Sequence, residues 1–168
     1  MSGLIYPLNN KEYTAEDVEI FNCTRTSGVY SVLDFDYTLS GYSMTIGKGL
    51  AWIKNSDFSG KAIAFKEPEE LTFEEPHERL ERYDVVAIRF DADTQDAQLV
   101  IVKGEPSESP RLPPRSTFAW EYELFLYSIL RKPSDYNISS DNITDLREDE
   151  AYCGIMRDSV TSGVAPLQ

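Results

Sequence analysis

The sequence is poor in the residues that most often carry chemistry. It has one histidine, His77, and two cysteines, Cys23 and Cys153, in 168 residues. The cysteines stand near opposite ends, without Cys-x-x-Cys spacing or partnering histidines, so no zinc site is expected. Asp, Glu, Lys or Arg interrupts every apolar stretch, and none reaches the length of a membrane span. The opening residues Met1-Ser2-Gly3-Leu4-Ile5-Tyr6-Pro7 lack the basic and apolar regions of a secretory signal. Both cysteines are therefore expected to be reduced, buried thiols. The sequons at Asn22, Asn137 and Asn142 carry little weight without secretion.

Basic residues are scarce as well. Sixteen Lys and Arg face 29 Asp and Glu, for a formal charge of −13. That balance lacks the positive footprint that displaces counterions from nucleic-acid phosphates or holds an anionic membrane. It fits a solvated surface that resists aggregation. There is no phosphate loop or dinucleotide fingerprint, since Gly47-Lys48-Gly49 has no third glycine and opens no helix. No internal repeat or low-complexity tract occurs.

What is present is enough for a core. The chain is 41% hydrophobic and 12% aromatic, which argues against disorder, and its length fits one domain or one domain with a short appendage. A short helix is expected near the start, where Thr14 can cap, Asp17 sits at the third helical position, and Val18 with Phe21 makes an apolar stripe. Gly28 ends that region. Tyr42, Met44 and Ile46 then alternate as in a half-buried strand. Gly47-Lys48-Gly49 reads as a turn, with Leu50-Ala51-Trp52-Ile53 as the returning strand of a hairpin. Asn55-Ser56-Asp57 and Gly60 mark a further turn before Lys61-Ala62-Ile63-Ala64-Phe65.

Residues 66 to 82 are acidic, contain Pro68 and Pro76, and read as a loop with one short strand around Leu71-Thr72-Phe73. Val85 to Phe90 and Gln98 to Val102 are β-prone runs that predict a hairpin around Asp91 to Ala97. Four prolines make Gly104 to Pro114 an irregular excursion or a rigid linker.

The segment from Ser116 to Leu130 fits two periods. A helix would align Phe118, Tyr122, Phe125 and Ile129, whereas a strand would align Phe118, Trp120, Tyr122, Leu124 and Leu126. Aromatic and Ile content favours the strand, closed by Pro133. From Ser139 a turn and a partly helical C-terminal arm are expected. The fold class expected is mainly β: an antiparallel β-sandwich or open barrel with a short N-terminal helix. Its parts would be a helix and arm at 1–28, the β-sandwich at 29–138 and a C-terminal arm at 139–168.

Each residue that suggests chemistry has a plainer reading. His77, between Pro76 and Glu78, has no neighbouring nucleophile in sequence and reads as an ordinary loop histidine. Asp91, Asp93 and Asp96 alternate faintly like a calcium loop, but lack its Gly and its later bidentate Glu, so a turn is expected. Glu67, Glu69, Glu70, Glu74 and Glu75 read as a solvated acidic edge rather than a glycosidase pair. Trp52 and Trp120 lie in apolar strand patterns, so core packing is expected for both. No cofactor, metal site or catalytic residue is expected. Two other function classes remain as alternatives. A carbohydrate-binding module would expose Trp52 or Trp120 beside a polar rim, and a small hydrolase would need His77 or two carboxylates converging in a pocket.

Several phrases carry a resemblance when taken in order. They are Tyr13-Thr14-Ala15-Glu16-Asp17, Thr24-Arg25-Thr26-Ser27-Gly28-Val29-Tyr30 and Gly49-Leu50-Ala51-Trp52-Ile53, then the run from Glu81 to Asp91, Gly104-Glu105-Pro106 and Ser109-Pro110. The set closes with Ile143-Thr144-Asp145-Leu146-Arg147 and the run from Cys153 to Asp158. Over nearly the whole chain this resembles the N-terminal domain of tail-fibre, baseplate and receptor-binding structural proteins of siphophages and prophages of Gram-positive bacteria. The resemblance implies a β-sandwich shoulder domain, usually a homotrimer, that docks onto other tail or baseplate proteins in the virion. More distal parts of such proteins carry host attachment, including contact with cell-surface saccharide. Position 168 falls where a stalk or head domain would begin, so an anchor or short adaptor is expected. The N-terminal helix and the Cys153 to Asp158 arm are the expected neighbour contacts. The resemblance supplies no catalytic residue.

Overall fold

The computed structural model describes residues 3–158. Among them one short helix, α1 (Ala15–Ile20), precedes a mainly β, antiparallel fold. The strands are β1 (Gly28–Val29), β2 (Tyr37–Ser40), β3 (Ser43–Ile46), β4 (Gly49–Ser56), β5 (Ser59–Phe65), β6 (Glu69–Thr72), β7 (Arg82–Asp91), β8 (Asp96–Lys103), β9 (Glu121–Arg131) and β10 (Ile143–Asp145). They form three sheets, in the orders β1-β4-β5, β2-β3-β6 and β10-β9-β7-β8. One large core cluster draws on all three, with Met44 and Ile46 from β3, Ala51 and Ile53 from β4, and Val86, Ile88, Leu124 and Leu126 from β7 and β9. Fully burying a side chain of that size stabilises by about 1.5–3 kcal/mol.

The hairpins expected at β4–β5 and β7–β8 are present, and so is the short strand in the acidic loop, β6. The hairpin expected across Gly47-Lys48-Gly49 is not. Strand β3 pairs with β2 and β6, while β4 pairs with β1 and β5, so this turn carries the chain from one sheet to another. Residues 35 and 36 take the backbone bonds that a hairpin would have used: Phe35 N–H donates to Lys48 O, and Gly47 N–H donates to Asp36 O. Phe35 packs so closely that a Cβ on Gly49 would lie 2.8 Å from its ring.

Strand β9 resolves the two readings of the 116–130 segment in favour of a strand. It starts only at Glu121, which leaves Phe118 and Trp120 in front of it. A β-bulge sits opposite Val86 and Ala87, where register passes from Tyr127 to Phe125. The extra residue re-phases the alternation, so Tyr122, Leu124 and Leu126 are followed into the same core by Tyr127 and Ile129. Phe125 turns to the opposite face with Val85, Ala87 and Leu146. Leu112, from the proline-rich excursion, and Tyr152 pack on that second face.

The closing segment is sewn to residues 24–29. Thr26 N–H donates to Arg157 O at 2.7 Å, Val29 N–H to Gly154 O at 3.0 Å, and Met156 N–H to Val29 O at 2.8 Å. Gly28 makes this approach possible: its φ is +153°, and a Cβ there would lie 2.3 Å from Gly154 O. The expected helical C-terminal arm is not found in the described residues. From Ser139 to Asp158 the chain forms a 3-10 turn at Ser140–Asn142, then β10, turns and bridges, because many of its backbone bonds go to β9 and residues 24–29 and only isolated turns bond within the segment. The rest of the expected arm, residues 159–168, lies outside the described residues.

Candidate functional site

The loop groups weighed for chemistry are engaged in shaping their own loops. His77 Nδ1 accepts from the N–H groups of Arg79 and Leu80, at 3.1 and 2.9 Å, and so caps the turn after Pro76. Asp91 Oδ1 accepts from Asp93 and Thr94 N–H, and Asp96 Oδ1 from Ala97 N–H, which is how Asp organises a β-hairpin loop. Among the described residues no three His, Cys, Asp or Glu side chains are grouped to hold a metal ion. In the acidic run, Glu74 pairs with Lys103 at 2.7 Å, and that hydrogen bond holds its carboxyl below the usual carboxylate range. Both thiols are free and buried. Burial pushes the Cys153 thiol up to about 12 and raises that of Cys23, so neither is an activated nucleophile.

Charge is instead concentrated in buried clusters that sequence inspection missed. Arg82, Asp84 and Arg131 are all almost fully buried. Arg82 Nε donates to Asp84 Oδ1 at 2.9 Å and its Nη2 to Oδ2 at 3.2 Å, while Arg131 Nη1 lies 3.6 Å from the same carboxylate. Both guanidinium groups also donate to Glu74 O, and Arg131 lies over the Phe73 ring at 5.6 Å. Burial lowers Arg131 from its ordinary value, and the Arg82 charge adds to that against the opposing pull of Asp84. A second cluster centres on Arg147, which binds Asp145 and two loop carbonyls and lies 5.3 Å over the Tyr127 ring. In sequence the only signal was the Arg-x-Asp spacing at 82 and 84, which places both side chains on one face of β7, and the Asp-x-Arg spacing at 145 and 147, where the chain turns just after β10.

Two of the surfaces among the described residues bear on contact with something else. The first is the N-terminal arm with α1. The capping box is formed as expected, with Thr14 Oγ1 accepting from Asp17 N–H and Asp17 Oδ2 from Thr14 N–H. The expected apolar stripe does not face the protein, however. Val18, Ile20 and Phe21 are 37%, 37% and 45% exposed, whereas Glu19 is 7% exposed. Glu19 points at β5, where it meets the Lys61 ammonium and accepts from Ser59 Oγ. That polar anchor fixes the rotation of the helix and turns its apolar side outward. Tyr6 stacks on Phe21 at 5.6 Å and meets Tyr13 edge-on at 4.8 Å, joining exposed Ile5 and Leu8 to the same patch.

The second surface is a cleft of about 260 Å³ between the β4–β5 hairpin and the approach to β9. Lys54, Asn55, Ser56, Asp57, Arg115, Thr117 and Tyr122 line it, so it carries two cations and one carboxylate. Asn55 Nδ2 donates to Ala119 O at 2.9 Å, tying the hairpin to the Phe118–Trp120 segment. The two tryptophans part company here. Trp52 is buried as expected, with the Arg25 guanidinium 5.3 Å over its ring and Gly60 so close that a Cβ would lie 2.4 Å from Cζ2. Trp120 is not in the core: it is 59% exposed and stacked on Phe118 at 4.6 Å, because β9 begins one residue after it. No helix among the described residues is long and apolar enough to cross a membrane. No family model, curated protein or solved structure matches this chain.

Proposed function

We propose that this chain is a structural module of a phage tail or baseplate, a β-sandwich that anchors part of a receptor-binding device and works by binding other proteins. The observation that carries this reading is the orientation of α1. A six-residue helix has little stability alone, and helices are held in place mainly by burying an apolar face. Here the apolar face is outside, and with Ile5, Tyr6 and Leu8 it makes a connected patch at the start of the chain. Connected patches of that kind are typical of protein contacts, while single exposed apolar residues are not informative.

The phrases that carry the phage resemblance fit the same reading, since their residues act structurally. The Glu81 to Asp91 phrase supplies β7 and the Arg82–Asp84 pair, and the Ile143 to Arg147 phrase supplies β10 and the Arg147 cluster. The closing phrase from Cys153 to Asp158 makes its backbone bonds to residues 24–29, so the N-terminal patch is the better candidate for a neighbour contact. A homotrimer around that patch is the arrangement the resemblance implies. Light scattering after size exclusion tests it, with a mass near three times the 19.1 kDa protomer expected, and Phe21→Ser returning the protein to one protomer without lowering its unfolding midpoint. A monomer whose retention and stability are the same with and without Phe21→Ser would sink the assignment of this surface.

A further inference from the structure

We infer that the outer edge of β5, beside the β7–β8 hairpin, accepts an extended strand from another protein, one with uncharged central residues and basic ends. This contact is separate from the N-terminal patch and does not depend on the oligomer proposed there.

The backbone of β4 fixes which groups of β5 are open. Leu50 N–H donates to Asp34 Oδ1, Leu50 O accepts from Tyr30 N–H, and Lys54 N–H donates to Ser27 Oγ. The even-numbered residues of β4 thus direct their backbone groups away from β5. In an antiparallel pair that alternation carries across the register, where Leu50 stands opposite Ala64 and Trp52 opposite Ala62. Ala62 and Ala64 therefore aim their N–H and C=O groups outward. Among the described residues nothing hydrogen-bonds to them there.

Other strand edges are covered or guarded. At the far side of the same sheet, β1 is covered by residues 154–156. Strand β6 follows Pro68 and carries Glu69 and Glu70, and at the start of β8 the Ala97 N–H is taken by Asp96 Oδ1. Charge, proline, bulges and covering segments are the usual protections of a sheet edge. From Ala62 to Phe65, β5 has no charge, no proline and no bulge.

A groove of about 390 Å³ runs beside that edge. The exposed side chains of Ala62 and Ala64 are small, and buried Ile63 and Phe90 line the groove together with Ala97. Open backbone donors and acceptors at every second residue are matched by another extended backbone, and an apolar lining seats its alternate side chains. Asp96 also lines the groove, and Asp91 and Asp93 stand on the adjoining hairpin loop. That acidic end favours a strand carrying Lys or Arg. A second copy of this chain would bring the same acidic loop to it, so a different protein is the occupant.

Amide exchange followed by NMR on the full chain tests the edge and its occupant together. The probe is the peptide Ac-Lys-Thr-Val-Thr-Val-Thr-Lys-amide. Its control carries N-methyl groups on two adjacent central residues, which blocks pairing along both of its edges. In the free protein the Ala62 and Ala64 amides should exchange faster than that of Ile63, which faces β4. With about 1 mM peptide both should slow about tenfold, as a Kd of about 0.1 mM requires. The methylated control should leave them unchanged, and Phe21→Ser should not alter the result. Ala64→Pro removes one outward N–H without breaking the β4 ladder, so it should weaken binding about tenfold with an unchanged far-UV circular dichroism spectrum. Because the control peptide is read on the wild-type chain, the test stands even if that variant fails to fold. Alanine amides as slow as Ile63 in the free protein would overturn the inference. So would exchange that the peptide leaves unchanged, equal slowing by the methylated control, or slowing confined to another edge.

Discussion

Arg147 holds both carboxylate oxygens of Asp145, two residues upstream, with Nε at 3.0 and 3.2 Å and Nη2 at 2.8 Å. The remaining arm of the guanidinium, Nη1, donates to Val32 O at 2.7 Å and Asp34 O at 2.9 Å. One side chain thus ties β10 to the loop that leads into β2, more than a hundred residues earlier. That loop also delivers Phe35 to the core, where Phe35 O accepts from Tyr127 Oη at 2.7 Å.

Substitution of Arg147 should therefore be costly even when charge is kept. A lysine ammonium cannot satisfy a carboxylate and two carbonyls in three directions at once. Arg147→Lys is expected to destabilise the protein by about 1.5–3 kcal/mol, the range for losing hydrogen bonds made by a charged group. Urea unfolding monitored by far-UV circular dichroism measures it. A change within experimental scatter would mean that the carbonyls of Val32 and Asp34 find other donors.

Acid should weaken the same junction. Burial alone would raise the Asp145 carboxyl, but the hydrogen bonds from Arg147 outweigh it and hold Asp145 below the usual carboxylate range. A carboxyl depressed in the folded state contributes stability that is fully present above its unfolded value of about 3.9 and fades as pH falls through the folded value. The stability advantage of wild type over Asp145→Asn should thus be constant at neutral pH and shrink below about pH 4. Unfolding free energies measured across that range check it, and an advantage that persists unchanged into strong acid would contradict the assignment.

Asp84 carries a heavier load, being the carboxylate that, among the described residues, pairs with both buried guanidinium groups, Arg82 and Arg131. Asp84→Asn keeps the shape and removes the charge. Leaving buried charge uncompensated costs about 3–5 kcal/mol, so this conservative change is expected to be among the most damaging in the protein. Glu74→Gln, which removes the exposed pair with Lys103, should by comparison be nearly silent, although Glu74 O serves both arginines, because the backbone carbonyl remains. Thermal denaturation of the two variants side by side tests the contrast, and equal midpoints would show that the cluster is not the charge trap described.

Most of the longer elements were legible in the residues because they rest on local rules, although β10 stands where a partly helical arm was expected. Alternation in the β7 and β8 runs, Asp and Asn in the turns, and the Thr14–Asp17 capping box each act over a few residues, and each formed where expected. The plain readings of His77 and the Asp91 loop were available for the same reason, since their partners lie within three residues. The assembly of those elements was decided elsewhere. Whether Gly47-Lys48-Gly49 closes a hairpin or crosses between sheets depends on residues 35 and 36, which claim its backbone bonds. Val18 and Phe21 have helical spacing but face outward because Glu19 finds Lys61 forty-two residues away. Trp120 resembles a core residue until a strand that begins at Glu121 leaves it outside. The sequence by itself determined which of the long apolar segments form strands and which stretches bend, through backbone preferences that each residue carries locally. Only the tertiary structure decided which faces are buried, which charges meet and which aromatic rings remain open to a partner, because burial depends on the neighbours that distant segments bring.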